Sequence, residues 1–296
     1  MADQALRPLA AVRAGRLATE LRGIDNLELP LRPRRARLAA AWSALWPKLA
    51  AIGLALGIWQ VVVWLRLRPE YVLPGPLAVL DRLASDLLAS ELPRAVLITL
   101  QRAGLGFALA LAIGSLVGLA IVRSALLRSA VASLITGLQT MPSIAWFPLA
   151  ILLFGLTETA IMFVVVLGAA PSIANGLIYG VDHIPRVLLR AGRVLGARGL
   201  AAYRHVILPA ALPSFVGGLK QGWAFAWRSL MAGELLVIIA AQPSIGVRLQ
   251  FARELSDALG LLSTMLVILA VGIVVDLLVF GTLDRAIRRR WGLIEG

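Results

Sequence analysis

The sequence predicts an all-α membrane protein with about six transmembrane helices. Of its 296 residues, 59% are hydrophobic and only 15% are charged, whereas about a quarter of the residues in a typical soluble domain are charged. The apolar residues collect in long runs, and a membrane-spanning helix needs about 20 such residues. These observations predict one membrane domain and exclude an ordinary water-soluble fold.

Six apolar runs are long enough to predict spanning helices. The predicted spans are 49–65, 99–122, 130–154, 159–180, 209–240 and 261–283. Pro69 and Pro74 end the first span, because proline interrupts a continuing helix. A short amphipathic stretch at 77–90 leads to the second span, and the basic residues Arg123 and Arg128 separate the second from the third.

The remaining spans are delimited by a short link and by two polar connections. The link 155–158 separates the third span from the fourth, and a polar, basic segment at 181–208 follows the fourth. Pro209 begins the fifth span, because proline is tolerated in the first turn of a helix. A connection containing Pro243 and Gly246 precedes the sixth span.

Basic residues predict the orientation, because they collect on the cytoplasmic side of a membrane. They are concentrated in an N-terminal arm at 1–46, in the segment 181–208 and in a tail at 285–296. Both termini and the segment 181–208 are therefore predicted to be cytoplasmic, with a transmembrane domain at 47–284 between the termini. The net charge of +13 is then explained by basic residues on the cytoplasmic side, so no nucleic acid partner is expected. The arm itself is expected to touch anionic lipid headgroups.

The segment 181–208 is too patterned for a simple linker. One side of a predicted short helix carries the apolar residues Val187, Leu188, Ala191, Val194 and Leu195, which recur at helical spacing. Gly196 is predicted to turn the chain with a positive φ. A second short helix is predicted at about 200–207.

This segment resembles the cytoplasmic loop of type I ABC importer permeases. That loop has the form Glu-Ala-Ala, three residues, Gly, nine residues, Ile, one residue, Leu-Pro. The matching positions are Arg190, Ala191, Gly192, Gly196, Val206, Leu208 and Pro209. Every spacing is met, although Arg190 stands where the family has Glu and Gly192 where it has the second Ala. The alternative is a basic helix lying on anionic lipid.

The resemblance implies a type I ABC importer permease fold in the inner (plasma) membrane of a bacterium. In that family the loop forms coupling helices that dock in a groove of the ATP-binding subunit. The implied partners are two ABC ATPase subunits, which carry ATP and Mg, an extracytoplasmic solute-binding protein, and a second copy of the permease or a different permease. No cofactor is expected on this chain itself.

Looser matches at 71–76, 99–107 and 226–234, with Asp276 in the sixth span, resemble the subfamily that imports sulfonates, taurine, nitrate or bicarbonate. They imply a small, anionic solute.

The fifth span carries the residues predicted to line a translocation path. Lys220, Trp223, Trp227 and Glu234 share one face at 100° per residue, and Arg228 is offset by about 80° from Lys220. Basic groups there would favour an anionic substrate through Coulomb attraction. The alternative is that Lys220 and Glu234 extend to the membrane interfaces.

Small residues and prolines predict how the helices pack. Small residues four positions apart allow helices to approach closely, and the pairs are Gly114 with Gly118 and Gly218 with Gly222. Pro142 and Pro171 are predicted to kink the third and fourth spans.

The sequence argues against a self-contained enzyme. Lys48 and Lys220 are the only lysines, and neither follows a glycine, so the glycine-rich phosphate-binding loop of ATPases is missing. A serine hydrolase would need a base beside its nucleophile, but His183 and His205 both lie in the segment 181–208. With no cysteine in the chain and only these two histidines, no metal site is expected.

The principal alternative function is an ion-coupled secondary transporter. Glu234 and Asp276 could carry protons in such a protein. Carriers of this kind often contain internal repeats with broken helices at matching positions, and no such repeat is evident in the sequence.

Overall fold

The computed structural model describes residues 34–239 and 242–290, and all regular secondary structure in them is helical. The chain divides into two compact units, one up to Val62 and one from Val63 onwards. The predictions made for the arm at 1–33 and for the end of the tail at 291–296 lie outside the described residues.

The helix α1 extends over Arg34–Trp64 and contains Pro47. It begins well before the predicted start at 49, because the preceding residues are mostly alanine, leucine and arginine, which favour helices. The predicted boundary between arm and membrane domain, at residue 46, therefore falls inside one helix. Within α1, Leu45–Trp64 is long and apolar enough to cross a membrane.

The second unit begins with five helices. They are α2 Pro76–Leu88, α3 Glu91–Arg123, α4 Ala125–Thr140, α5 Phe147–Phe154 and α6 Glu158–Asp182. The predicted amphipathic stretch is α2. The second predicted span begins at Glu91 rather than at 99, because Pro93 lies in the first turn of α3, where proline is tolerated.

The third predicted span is not one continuous helix. The helix α4 ends at Thr140, a 3₁₀ turn covers Ser143–Trp146, and α5 follows at an angle of 102° to α4. Pro142 causes the break, because the residue before a proline disfavours the helical conformation. Pro171, by contrast, lies inside the continuous helix α6.

Six further helices complete the unit. They are α7 Arg186–Val194, α8 Leu200–Ala202, α9 Leu208–Leu236, α10 Ile245–Glu254, α11 Ala258–Val275 and α12 Gly281–Arg290. π-helical turns join α8 to α9 at Tyr203–Ile207 and α11 to α12 at Asp276–Phe280. The sequence did not predict α10, which it assigned to a connection.

Four helical segments are long and apolar enough to cross a membrane in the described part of the chain: Leu45–Trp64, Glu91–Arg123, Glu158–Asp182 and Ala258–Arg290. The bent pair of α4 and α5 would be a fifth. The remaining predicted span is α9, whose 29 residues extend over about 43 Å at 1.5 Å per residue. Its polar and charged residues make it less apolar than the other spans.

The core of the second unit lies where α6 packs between α3 and α9. The helices approach at glycines, as the sequence predicted. A Cβ atom on Gly218 would lie 2.6 Å from the Cα of Gly176, and a Cβ on Gly114 would lie 2.6 Å from the carbonyl oxygen of Ala170. Since both α6 and α9 meet the segment between them, a movement of that segment would act directly on this core.

Candidate functional site

The connection between α6 and α9, residues 183–207, is a folded elbow. Its first helix, α7, ends in a Schellman motif: the N–H of Ala197 donates to the carbonyl of Gly192 at 2.9 Å, and the N–H of Gly196 donates to that of Arg193 at 3.1 Å. This motif needs a residue with positive φ, usually glycine, and φ of Gly196 is 83°. The positive φ predicted for Gly196 is confirmed.

The two arms of the elbow touch at Gly192 and Val206. Gly192 is buried, and a Cβ atom at this position would lie 2.8 Å from Cγ2 of Val206. The second small residue of the sequence motif and its later branched residue are therefore contact partners. The close contact favours glycine at position 192, because a Cβ atom there would crowd the side chain of Val206.

The outer side of the elbow is an apolar ridge exposed to solvent. Val194 is 87% exposed and Leu195 is 86% exposed, and the ridge also includes Val187, Leu188 and Leu200. Arg190, Arg198 and Arg204 are exposed beside it. Within the described part of the chain, these three arginines form no ion pair. An apolar core with a basic rim is suited to a protein partner with an acidic rim.

The elbow is tied to the ends of other helices. Arg128 in α4 forms an ion pair with Asp182 at the end of α6, at 2.6 Å. The guanidinium of Arg123, the last residue of α3, lies 5.7 Å from the ring centre of Tyr203. Leu208 and Pro209, the last residues of the motif, form the first turn of α9. The ends of α3, α4, α6 and α9 therefore meet around one segment.

Four of the five predicted path residues surround a groove between α9 and α11. The groove has a volume of about 480 Å³ and is lined by Lys220, Trp223, Trp227 and Arg228 of α9 and by Gly272 and Asp276. Lys220 forms an ion pair with Asp276 at 3.1 Å. We call this feature the α9–α11 groove.

The fifth predicted path residue, Glu234, lies in a different environment. Its side chain is completely buried and accepts hydrogen bonds, each of 3.0 Å, from Thr99 Oγ1, Arg102 Nη1 and the N–H of Gly246. The structure therefore does not bring Glu234 into the α9–α11 groove. It joins α9 to α3 and to the start of α10.

Arg102 and Glu158 complete this buried cluster, and the sequence did not assign a role to either. Arg102 is 5% exposed, and it donates to Glu158 and, at 3.1 Å, to Gln242. A signal was available, because a charged residue inside an apolar run is usually paired or functional. Arg102 interrupts the predicted second span and could have been identified in this way.

A polar cleft lies at the opposite end of the bundle from the elbow, because α9 begins at the elbow and ends at the cleft. Its volume is about 810 Å³, and its walls include Arg82, Arg94 and Arg248. Two of these arginines are paired: Asp86 forms ion pairs with Arg82 at 3.3 Å and with Arg248 at 2.5 Å. The Arg248–Asp86 pair fixes α10 against α2, whereas the Arg82–Asp86 pair lies within α2.

A metal site in a chain without cysteine would need a group of histidine, aspartate or glutamate side chains. In the described residues, no group of three or more such side chains could hold a metal ion.

Known proteins with similar sequences are transport permeases. A probable ABC transporter permease protein of Brucella melitensis is 33% identical over 205 residues, which is 69% of this chain and 82% of that protein. The taurine transport system permease protein of Escherichia coli is 30% identical over 221 residues, with 71% and 79% covered. The nitrate import permease protein of Synechococcus elongatus is 27% identical over 226 residues, with 71% and 80% covered.

Solved structures with a similar fold are ABC transporters. The inward-facing methionine ABC transporter MetNI matches with a TM-score of 0.55 at 21% identity, covering 66% of this chain and 94% of that one. An amino acid ABC transporter matches with a TM-score of 0.52 at 16% identity, covering 72% and 96%. The fold is that of a type I ABC importer permease, as the sequence predicted.

Most of the second unit of the chain matches one protein family. The family model described as "Binding-protein-dependent transport system inner membrane component" matches residues 110–289, which include the elbow, α9 and the α9–α11 groove. The match extends over more than half of the 296 residues, so the chain belongs to the family of binding-protein-dependent transport system inner membrane components.

Proposed function

We propose that the chain is the transport subunit of an ATP-driven importer, and that it moves a small anion across the inner membrane of a bacterium. A separate ABC ATPase docks on the elbow and moves the membrane helices through it. ATP and Mg are bound by that ATPase. The observation that carries the proposal is the exposed ridge of Val194 and Leu195 at the point where four helix ends meet. Beside this ridge lie arginines that form no ion pair with any residue that the structure describes.

A second copy of the chain is proposed as the partner across the α9–α11 groove. Lys220 and Arg228 are exposed on α9, and Lys220 lies about 18 Å from the first residue of the helix at 1.5 Å per residue. Charged side chains at such a depth face a water-filled cavity or a partner, because exposure to lipid costs several kcal/mol. Pairing of two such faces encloses a path with basic walls, which favours an anionic solute such as a sulfonate, taurine or nitrate.

A solute-binding protein is proposed to dock at the other end, over the polar cleft. The cleft lies beyond the end of α9 and carries exposed Arg94. With the elbow in the cytoplasm, as the positive-inside rule predicts, the cleft faces the outside. ATPase closure at one end and the loaded binding protein at the other would then bias the same two-state bundle.

Single-cysteine cross-linking tests this proposal cleanly, because the chain contains no cysteine. We expect Leu195→Cys in native membranes to cross-link to an ABC ATPase subunit. Leu255→Cys is the matched control, since Leu255 is also exposed, at 78%, but borders the cleft at the other end. It should give no cross-link to the ATPase.

The same two variants test the orientation. A membrane-impermeant maleimide applied to spheroplasts should label Leu255→Cys and leave Leu195→Cys unlabelled. Labelling of Leu195→Cys from outside would overturn the proposal. Solute uptake by the purified chain alone in vesicles would favour the ion-coupled carrier instead.

A further inference from the structure

The α9–α11 groove combines cations, a carboxylate and aromatic rings. Lys220 and Asp276 form an ion pair whose side chains are 54% and 38% exposed, respectively. Arg228 contacts the ring of Phe225 at 5.3 Å and has no ion-pair partner among the described residues. Two cations and one carboxylate leave the groove with one net positive charge, so it attracts an anion.

The aromatic wall of the groove is held by packing from behind. The rings of Trp223 and Trp227 stack with their centres 6.2 Å apart, and Trp223 also packs against Phe280 at 6.1 Å. Trp227 lies over Gly272, where a Cβ atom would be 3.4 Å from its Nε1. The wall is therefore preorganised, which lowers the entropic cost of binding a ligand against it.

The backbone at Asp276 is irregular. A π-helical turn begins at this residue and continues to Phe280, and π-helical turns inside α-helices occur frequently at functional sites. The turn joins the carboxylate that pairs with Lys220 to the ring that supports Trp223. One local distortion thus serves both the charged and the aromatic part of the groove.

We propose that the α9–α11 groove is a binding site for a small oxyanion of the sulfonate type, which contacts Arg228 and displaces Asp276 from Lys220. This inference rests on the proposed function and identifies the ligand chemistry of that path. In the empty site Asp276 neutralises Lys220. An incoming anion must break the ion pair between Lys220 and Asp276. Because a solvent-exposed ion pair is weak, this cost reduces the anion's binding constant by no more than about fivefold. Asp276 is therefore an exchangeable counter-ion.

The reactivity of a cysteine placed in the groove tests the inference in the full chain. Gln221 lines the groove, and Gln221→Cys would be the only cysteine present. We expect sulfonatoethyl methanethiosulfonate, an anionic reagent, to modify it faster than the cationic trimethylammonioethyl reagent, when each rate is divided by the rate of the same reagent with a free thiol in solution. Methanesulfonate, added at constant ionic strength with sodium gluconate, should slow both reactions.

Two variants in the Gln221→Cys background separate the charges. Asp276→Asn removes the competing carboxylate, so half-protection should need up to about fivefold less methanesulfonate. Arg228→Gln removes a charged contact, so it should need more than about tenfold more. Arg285→Gln, at an exposed arginine outside the groove, is the matched control and should leave the protection unchanged.

The result that overturns the inference is the absence of protection, or equal half-protection concentrations in the unsubstituted background, Asp276→Asn and Arg228→Gln. This failure is distinguishable from failure of the proposed function. Cross-linking of Leu195→Cys to an ATPase, with no protection in the groove, refutes only the anion site. Protection without such a cross-link supports the site and refutes the importer.

Discussion

Glu234 of α9 accepts a hydrogen bond of 3.0 Å from Arg102 of α3, and no part of the Glu234 side chain is exposed. The same carboxylate accepts the N–H of Gly246, while Thr99 accepts the N–H of Ile245 at 3.0 Å. These bonds satisfy free N–H groups in the first turn of α10. One buried pair therefore holds three helices at the end of the bundle that lies away from the elbow.

Replacing Glu234 by alanine should destabilise the fold strongly. Removal of one partner from a buried ion pair costs about 3–5 kcal/mol, because the other charge stays buried, and Arg102 would keep only part of its hydrogen bonds. We expect a clear fall in the midpoint of thermal unfolding, followed by fluorescence-detected size exclusion. Glu254→Ala is the control, since Glu254 is exposed. Equal midpoints for the two variants would contradict a stabilising role for the cluster.

The sequence predicts that the charged residues in the apolar runs are important, but it does not predict which residues they pair with. The charges of Arg102 and Glu234 interrupt apolar runs, so their importance is visible in the sequence. Their pairing is not, because it joins residues far apart in the chain through the packing of α3 against α9. Likewise Lys220 was predicted to face a path, but its ion pair with Asp276 depends on how α9 and α11 lie side by side.

The elbow was predicted more completely, because its conformation depends on residues that are close together in the sequence. The apolar spacing of α7 and the positive φ of Gly196 depend on neighbouring residues alone. The break at Pro142 was predicted only as a kink, since proline restricts the preceding residue but does not fix the direction of the following helix. The helix α10 was missed because its hydrophobic pattern is weak and its start is fixed by Glu234 and Thr99 from other helices.

The contact between Gly192 and Val206 predicts a compensating pair of substitutions. Gly192→Ala places a Cβ atom 2.8 Å from Cγ2 of Val206, so the Val206 side chain or the arms of the elbow must shift. We expect reduced solute uptake per ATP hydrolysed in the reconstituted importer. Val206→Ala in the same chain removes the clashing methyl group and should restore coupling. A double variant no better than Gly192→Ala would show that this contact does not set the elbow's geometry.

A substitution at Gly196 tests whether the elbow transmits the action of the ATPase to the membrane helices. The φ of Gly196 is 83° and no atom lies within 4 Å of a Cβ placed there, so Gly196→Val acts through backbone strain of about 1–3 kcal/mol. We expect normal membrane insertion and ATP hydrolysis that no longer drives uptake. The measurement is the ratio of solute transported to ATP hydrolysed in proteoliposomes.

Gly155 provides the matched control for Gly196. Its φ is 68°, and the nearest atom to a Cβ there is 4.0 Å away, so Gly155→Val also introduces backbone strain without a steric clash, in the link between α5 and α6. It should lower thermal stability without changing the transport ratio. Unchanged coupling in Gly196→Val, or equal uncoupling in both variants, would contradict the assignment of the elbow.

Substitutions of two adjacent glycines in α9 distinguish the effect of helix packing from that of helix propensity. A Cβ atom on Gly218 would lie 2.6 Å from the Cα of Gly176, whereas nothing lies within 4 Å of a Cβ on Gly217. Gly218→Ala must push α9 away from α6, because the opposing atom is backbone, and overpacking of this kind costs about 1–3 kcal/mol. Gly217→Ala meets no neighbour and gains up to about 1 kcal/mol of helix propensity. The unfolding midpoints of the two variants should therefore move in opposite directions from that of the unsubstituted chain. A rise of equal size in both would mean that α6 and α9 do not pack at these glycines.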